Sequence, residues 1–168
     1  MGGDNGTTNV QLNAWCLKHK VPGYQGCFPS DQLAAPWQPK NACWIVNHSP
    51  STSPDGGSHW LACRVQGDKA YWFDSYGLPP LAPLENELMG ARSDAHPHFQ
   101  DWLKKMGVDK VSYNERDIQS VTSDVCGLYA CYFALHGLPE LNPKPWSWLT
   151  RNVSNNDAVV RTLVKVTQ

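Results

Sequence analysis

The sequence predicts an α+β fold in which a small, mainly antiparallel sheet is flanked by helices. Two adjacent β-type runs, 59–66 and 69–75, are separated by Gly67-Asp68, a pair suited to a two-residue hairpin turn. An apolar segment of helical length begins at Cys126 and ends at Gly137. With 168 residues, 41% of them hydrophobic, the chain can bury a core of its own, so we expect a single domain over 1–168.

The N-terminal part is expected to hold one helix and a long loop. Residues 1–6 are polar and rich in glycine, which predicts disorder. Thr8 can cap a helix over about 9–20, which the Pro-Gly pair at 22–23 ends. Over 23–40 the chain is rich in proline, glycine and aromatic residues, a composition that predicts a long surface loop.

The remaining elements follow from their hydrophobic patterns. Residues 42–47 form a short apolar run that predicts a strand buried on both faces. An amphipathic helix is expected over 96–106, ended by Gly107, and a strand over 110–114. A last helix is expected over 157–166.

The hairpin turn sets which residues of its two strands face each other. If Gln66 pairs with Lys69, then Leu61 lies opposite Asp74. His59 lies two residues from Leu61 on the same face, so it is the diagonal neighbour of Asp74. Diagonal Cβ atoms are about 7–8 Å apart or somewhat less, which an imidazole and a carboxylate can bridge. The hairpin alone therefore predicts that His59 meets Asp74.

Charge and cysteine usage limit the partners that the chain is expected to have. A net charge of -1 and a pI of about 6.6 provide no electrostatic case for binding nucleic acid or a membrane. No signal peptide or membrane-spanning apolar run is found, which predicts an intracellular protein. The six cysteines are scattered and form no Cys-x-x-Cys pair, so neither a disulfide framework nor a structural metal site is expected.

Cys126 is the candidate nucleophile. A cysteine at the N-terminal end of a helix lies beside unsatisfied backbone N–H groups and the positive end of the helix dipole. That environment lowers the pKa of a thiol and favours the reactive thiolate. The alternative is that Cys126 is a buried and inert cysteine, which is the commoner fate of a cysteine opening an apolar helix.

A cysteine hydrolase needs a thiolate, a base, a group that orients the base, and donors for the oxyanion. Cys126 can supply the thiolate, and His59 is the best-placed base. Asp74 can accept the Nδ1–H of His59 and hold its tautomer. Gln119, in the polar stretch before Cys126, can donate its side-chain amide to the oxyanion, together with the backbone N–H of Cys126.

Simpler interpretations of these residues stay open at this point. Asp74 can be an ordinary turn aspartate, and Gln119 can be a solvated loop residue. His136 is ten residues beyond Cys126 on the same helix, about 15 Å along its axis, and is out of reach. The other rival bases are His19, His48, His96 and His98.

Four segments together resemble one protease family. They are Ala42-Cys43-x-Ile45-Val46-Asn47, Gly56-Gly57-x-His59-Trp60, Phe73-Asp74-x-Tyr76-Gly77 and Gln119-x6-Cys126-Gly127-Leu128. This order of motifs is similar to that of the adenovirus-type cysteine proteases, the adenain family, which share a clan with the Ulp/SENP deSUMOylating proteases. The resemblance runs from about residue 23 to residue 143.

The resemblance implies a role for each site residue. Cys126 would be the nucleophile, His59 the base, Asp74 the orienting acid and Gln119 an oxyanion donor. Family members favour small residues, typically Gly, next to the scissile bond. A narrow cleft walled by Trp60, with Gly57 beside it, would explain that preference.

Two departures from adenain concern cofactors. Adenain is activated by a peptide that forms a disulfide with a cysteine between its acid and nucleophile segments, and no cysteine lies between Cys63 and Cys126 here. Adenain is also basic and uses DNA, which a chain of net charge -1 does not support. We therefore expect no cofactor, no metal and a monomer. The sequence does not support an activating peptide or DNA as in adenain, and it leaves open whether another partner activates the chain. A further difference concerns the acid residue. Adenain has Glu at this position, whereas Asp74 is more similar to the Ulp branch.

The predicted function is that of a cysteine endopeptidase cleaving polypeptides at Gly-type residues, processing viral or virus-like precursor proteins. The alternative is a Ulp/SENP-like isopeptidase that removes ubiquitin-like or SUMO-like modifiers ending in Gly-Gly. A third interpretation is an inactive protein-binding module. The expected location is the host nucleus or cytoplasm, and also the virion.

Overall fold

The computed structural model describes residues 6–33, 41–52, 59–80 and 96–167. In chain order its elements are α1 (Asn9–Lys18), β1 (Tyr24–Pro29), β2 (Asn41–Asn47), β3 (Trp60–Gln66), β4 (Lys69–Phe73), α2 (His96–Lys105), β5 (Lys110–Tyr113), α3 (Cys126–His136), a short 3-10 helix (Lys144–Trp146) and α4 (Val153–Leu163). Residues 1–6 are predicted to be disordered, and residues 1–5 of this segment lie outside the described ranges.

The fold is α+β, as predicted, but its sheet is mixed rather than mainly antiparallel. The five strands lie in the order β1-β2-β3-β4-β5. The two central pairs, β2 with β3 and β3 with β4, are antiparallel, whereas β1 with β2 and β4 with β5 are parallel. Parallel neighbours need a long crossover, and the connection from β4 to β5 carries helix α2.

Strand β1 corrects the prediction of a loop over 23–40. Tyr24 pairs with Cys43 at its start and Pro29 with Asn47 at its end. Its proline is tolerated because β1 is an edge strand and Pro29 is its last residue. Gly23 lies just before the strand with a φ of 67°, and a Cβ there would approach the main-chain oxygen of Asn41 to 2.4 Å. The glycine that indicated a loop is what allows this close approach of the two chain segments.

The predicted hairpin register is confirmed. Gln66 pairs with Lys69 and Ala62 with Phe73 across β3 and β4. His59 comes immediately before β3, and Asp74 comes immediately after β4. Both residues therefore lie at the open end of the hairpin, as the predicted register requires.

The helices match their predictions with shifted ends. Thr8 and Gln11 form a reciprocal capping box at the start of α1, which ends two residues earlier than predicted. Helix α4 begins four residues before the predicted start at 157, because Asn152 caps it by accepting a hydrogen bond from the Asn155 N–H at 3.1 Å. Helix α3 begins at Cys126, as predicted.

The sheet is buried on both faces. Alternate residues of β2 enter different core clusters, Cys43 and Ile45 with α1 and α3, and Trp44 and Val46 with α2. The prediction that 42–47 is buried on both faces is confirmed. Helix α3 packs on β3 and β2 and also contacts α1, and its residues from Gly127 to Ala134 are all buried. The Cys126 end of this helix is thereby held against the end of the hairpin.

The described residues include no helix that combines the length and the apolar character needed to cross a bilayer. All six cysteines carry free thiols. Cys131 is fully buried on α3, and its Sγ lies 3.8 Å from Sγ of Cys16 on α1.

Candidate active site

His59 and Asp74 form a buried contact at the open end of the hairpin. His59 Nε2 lies 2.7 Å from Asp74 Oδ1, and the two residues are only 6% and 3% exposed. The expectation that Asp74 binds Nδ1 is wrong, since the contact uses Nε2. Nε2 is the ring nitrogen farther from Cβ, so it is the one that spans the diagonal gap.

Cys126 lies beside this pair. The backbone N–H of Trp60, the residue after His59, donates to Cys126 Sγ at 3.4 Å. The residue before the helix, Val125, provides no side-chain cap, so the first N–H groups of α3 are not used up by a capping side chain. The structure thus brings Cys126 to the same end of the hairpin as His59 and Asp74.

The environment of Cys126 favours its thiolate. Burial raises the pKa of the thiol, but the hydrogen bond and charge of His59 and the backbone N–H groups of Trp60 and Gly127 outweigh it, so the pKa is lowered. The pKa values of two buried thiols shift in the opposite direction. Burial raises the pKa of Cys43 to about 12 and that of Cys63 well above its usual value. Cys126 is therefore distinct from the inert core cysteines.

The pKa of His59 shifts in the opposite direction to that of Cys126. Burial lowers the pKa of the imidazole, but the charge and hydrogen bond of Asp74, together with Cys126, outweigh burial and raise the pKa. A raised imidazole pKa beside a lowered thiol pKa favours an imidazolium–thiolate pair. This is the state in which a cysteine attacks a carbonyl.

Asp74 is held by groups that the sequence did not reveal. Its Oδ1 also accepts the backbone N–H of Tyr76 at 2.9 Å. Asn114, fully buried just after β5, accepts the Asp74 N–H at 3.0 Å and donates its Nδ2 to the Asp74 main-chain oxygen. This two-point clamp was missed because Asn114 looked like the polar end of a strand.

The His59 ring is also held from its face. The ring of Tyr76 stacks on it with centroids 4.8 Å apart and planes inclined by 21°. Tyr76 belongs to one of the motifs quoted above but had no predicted role. Stacking limits the rotation of the imidazole while Asp74 fixes its tilt.

Gln119 is buried rather than solvated, with 1% exposure. Its Oε1 accepts a hydrogen bond from Ser75 Oγ. Its Nε2 donates to the main-chain oxygen and the Oγ of Ser123, at 3.2 and 3.1 Å. Within the described part of the chain it makes no hydrogen bond to Cys126, so its role as an oxyanion donor remains a prediction.

Helix α4 anchors the loop that carries Gln119. Asp157 is buried, and its two carboxylate oxygens accept the Ser120 N–H at 3.2 Å and the Tyr129 hydroxyl at 2.8 Å. Arg161 and Asp124 add an exposed ion pair at 3.0 Å, which contributes little stability. The loop is thus tied to both α3 and α4.

Trp60 lies over the start of α3. Its indole N–H donates to the main-chain oxygen of Thr7 at 2.9 Å. A Cβ on Gly127 would lie 3.2 Å from the Trp60 ring and 3.1 Å from Leu12, so this space is closely filled. Gly57, predicted to line the same cleft, lies outside the described residues.

The rival histidines lie elsewhere. His19 stacks on Trp15 of α1, and His136 packs on Tyr132 at the far end of α3. His48 is buried with its ring beside Phe99. His96 and His98 are in α2, and their side chains lie outside the description. Where the structure describes the chain, no group of three or more His, Cys, Asp or Glu could hold a metal ion.

Comparisons with known proteins concern the fold. No protein-family model matches the sequence. No curated protein matches it. Among solved structures, the chain is similar to the ASFV pS273R protease, with a TM-score of 0.47 and 15% identity over 98% of this chain and 70% of that one.

It is also similar to AvrA delL154 with IP6 and CoA, with a TM-score of 0.45 and 16% identity over 89% of this chain. This chain spans 53% of the AvrA chain, about half its length. At this identity and these TM-scores neither similarity assigns an activity to the chain, which has to be argued from its site.

Proposed function

We propose that this chain is a cysteine endopeptidase in which Cys126 is the nucleophile, His59 the base and Asp74 the group that orients the base. The observation that carries the proposal is the buried contact of His59 with Asp74 Oδ1 beside the Cys126 thiol, together with the raised pKa of His59 and the lowered pKa of Cys126. An inert core cysteine would not have its pKa lowered by two backbone N–H groups and an imidazole.

The proposed reaction has two stages. The Cys126 thiolate forms a bond to the carbonyl carbon, and the C=O electron pair moves to oxygen. As the C–N bond breaks, the proton on His59 goes to the leaving amine, which gives a thioester. Water then adds to the thioester after giving a proton to His59, and Cys126 leaves as the thiolate.

The oxyanion would be held by donors close to Cys126. The backbone N–H of Cys126 belongs to the uncapped start of α3. The side-chain amide of Gln119 lies in the preceding loop and is buried. These two donors are our proposal for the oxyanion hole.

We propose that the residue next to the scissile bond is Gly. The close packing of Trp60 and Gly127 beside Cys126 supports a narrow cleft, in which a side chain would clash. The expected substrates are precursor proteins of a virus or virus-like element, cleaved in the host nucleus or cytoplasm and in the virion by a monomer that needs no cofactor.

The test is hydrolysis of a peptide library that contains Gly at varied positions, with and without DNA. We expect wild-type protein to cleave after Gly at a rate that DNA does not change. Cys126→Ala should abolish cleavage, whereas Cys27→Ala, which removes a thiol on β1, should leave it intact. Full cleavage by Cys126→Ala would overturn the proposal.

The alternative substrate is a ubiquitin-like or SUMO-like modifier ending in Gly-Gly. Asp74, in place of the Glu of adenain, is the feature that favours it. A ubiquitin-like protein with a C-terminal electrophile would then label Cys126 much faster than a short peptide electrophile does. Equal labelling by the two reagents favours the endopeptidase. Absence of both labelling and cleavage would instead favour the inactive binding module.

A further inference from the structure

Ser75 connects the two halves of the candidate site. It follows Asp74 directly, is fully buried, and donates its hydroxyl hydrogen to Gln119 Oε1. Its main-chain oxygen also accepts the N–H of Ile118, the residue before Gln119, at 2.9 Å. Side chain and main chain of Ser75 therefore hold the same short stretch of the loop.

A main-chain hydrogen bond closes the turn that contains Ser75. In it the N–H of Gly77 donates to the Asp74 main-chain oxygen at 2.8 Å. Within this one turn Asp74 contacts His59, and the next residue contacts Gln119. The base and the predicted oxyanion donor are thus positioned from adjacent residues of the chain.

The contacts of Gln119 determine which way its amide faces. A main-chain carbonyl can only accept, so the side of the amide facing Ser123 must be Nε2. On the other side the Ser75 hydroxyl donates to Oε1. Both acceptors of Nε2 belong to Ser123, so one N–H can serve them together as a bifurcated bond and the second N–H is left over.

We propose that Ser75 is a positioning residue that holds the Gln119 amide with one N–H available to the oxyanion. The inference rests on the proposed function, because it needs the carbonyl chemistry at Cys126. It goes beyond that function by assigning a role to a hydroxyl that does not touch the reacting atoms. Loss of this hydroxyl leaves Oε1 buried without its donor, so the amide loses its fixed orientation.

The experiment is a double-mutant cycle on peptide cleavage with Ser75→Ala, Gln119→Ala and the double variant. Gln119→Ala should lower kcat by about 10²–10³, as expected for one oxyanion donor. Ser75→Ala should lower kcat by about 10–100-fold with little change in KM, because it misplaces that donor. The double variant should be no slower than Gln119→Ala, because Ser75 acts through Gln119.

Two controls exclude a merely structural effect. Ser30→Ala removes another buried hydroxyl, one without a hydrogen-bond partner among the described residues, and should leave kcat unchanged. Alkylation of Cys126 by iodoacetamide forms no oxyanion, so its rate and pH profile should be the same in Ser75→Ala and in wild type. A parallel fall in alkylation would show that Ser75 acts through Asp74 and would overturn the inference.

A second readout does not depend on turnover. The side-chain NH2 resonances of Gln119, identified by their absence in Gln119→Ala, should be dispersed in wild type and collapse toward solvent-like values in Ser75→Ala. Unchanged resonances, or full kcat in Ser75→Ala, would overturn the role of Ser75 while the proposed function stands. If wild type itself shows no cleavage that depends on Cys126, the proposed function fails instead.

Discussion

The imidazole of His59 is held by the carboxylate of Asp74, with Nε2 only 2.7 Å from Asp74 Oδ1. Both residues lie at the open end of one hairpin, so the proposed base and the acid proposed to orient it are brought together by local pairing. The thiol comes from a helix that begins 52 positions after Asp74 and packs on β3. The site therefore joins a locally formed pair to a distant element.

Replacing Asp74 by Asn should reduce activity without unfolding the protein. The amide keeps the volume of the carboxylate but loses the charge that raises the pKa of His59. We expect kcat/KM to fall by about 10²–10⁴. The check is steady-state hydrolysis of a Gly-containing peptide. An Asp68→Asn variant, at the exposed hairpin turn, is the control and should retain full activity.

The pH profile of Cys126 alkylation should report the ion pair. The lowered pKa of Cys126 means that the thiolate is present below the usual thiol value of 9.0. The raised pKa of His59 means that the imidazolium persists above its usual 6.5. The pair is thus lost on the acid side when Cys126 is protonated and on the alkaline side when His59 loses its proton.

Iodoacetamide alkylation measured from acid to alkaline pH should therefore give a plateau at neutral pH in wild type. In His59→Ala the same curve should shift toward pH 9, because the imidazole no longer lowers the thiol pKa. A wild-type curve that titrates at or above 9.0 would contradict the assignment.

Asn114 should contribute to both stability and activity. Its amide satisfies the main-chain N–H and carbonyl of Asp74, which are buried. Asn114→Ala removes the acceptor of the buried Asp74 N–H, whereas the Asp74 carbonyl still accepts the Gly77 N–H, so we expect the free energy of unfolding to fall by about 1–3 kcal/mol. Urea unfolding measures this loss, and Ser112→Ala, at an exposed position of the same strand, should change it by less than about 0.5 kcal/mol.

At its permissive temperature Asn114→Ala should also cleave more slowly than wild type, because Asp74 is less well held. A variant with unchanged unfolding in urea would show that the clamp on Asp74 is not energetically significant.

Gly127→Ala should affect activity more than stability. A Cβ there would lie 3.1–3.2 Å from Leu12, Thr7 and Trp60, so these neighbours must shift. Crowding costs about 1–3 kcal/mol, and the gain in helix propensity offsets about 1 kcal/mol of it. The backbone N–H of Trp60 donates to Cys126, so displacing this residue should disturb the thiol, and kcat should fall by more than the stability change suggests.

Thermal unfolding and peptide hydrolysis of the same Gly127→Ala preparation separate these two effects. A matched substitution at another glycine, Gly67→Ala, tests the hairpin turn, where a Cβ meets nothing within 4 Å but φ is +61°. It should destabilise the fold through backbone strain and leave the kcat of the folded protein unchanged.

Much of the site follows from local sequence. A two-residue turn determines the register of β3 and β4, and this register places His59 near Asp74 without any tertiary contact. The start of an apolar helix at Cys126 was likewise visible, because hydrophobic composition and helix ends are properties of neighbouring residues.

Other features depend on residues far apart in the chain. Strand β1 pairs in parallel with β2, and nothing within its Gly- and Pro-containing sequence indicates that pairing. The clamp of Asn114 on Asp74 spans 40 positions, and the hydrogen bond of Ser75 to Gln119 spans 44. A buried polar residue and a solvated one look the same in sequence, so these partners could not be predicted.

Short-range spacing is enough to predict the pairing of His59 with Asp74 and the helix that begins at Cys126, because both depend on neighbouring residues. The mixed sheet, the contact of His59 with Asp74 through Nε2, and the hydrogen bonds of Ser75 to Gln119 and of Asn114 to Asp74 depend on contacts between distant segments. The physical reason is that a buried hydrogen-bonding group must find a partner in three dimensions, and that partner can lie anywhere along the chain.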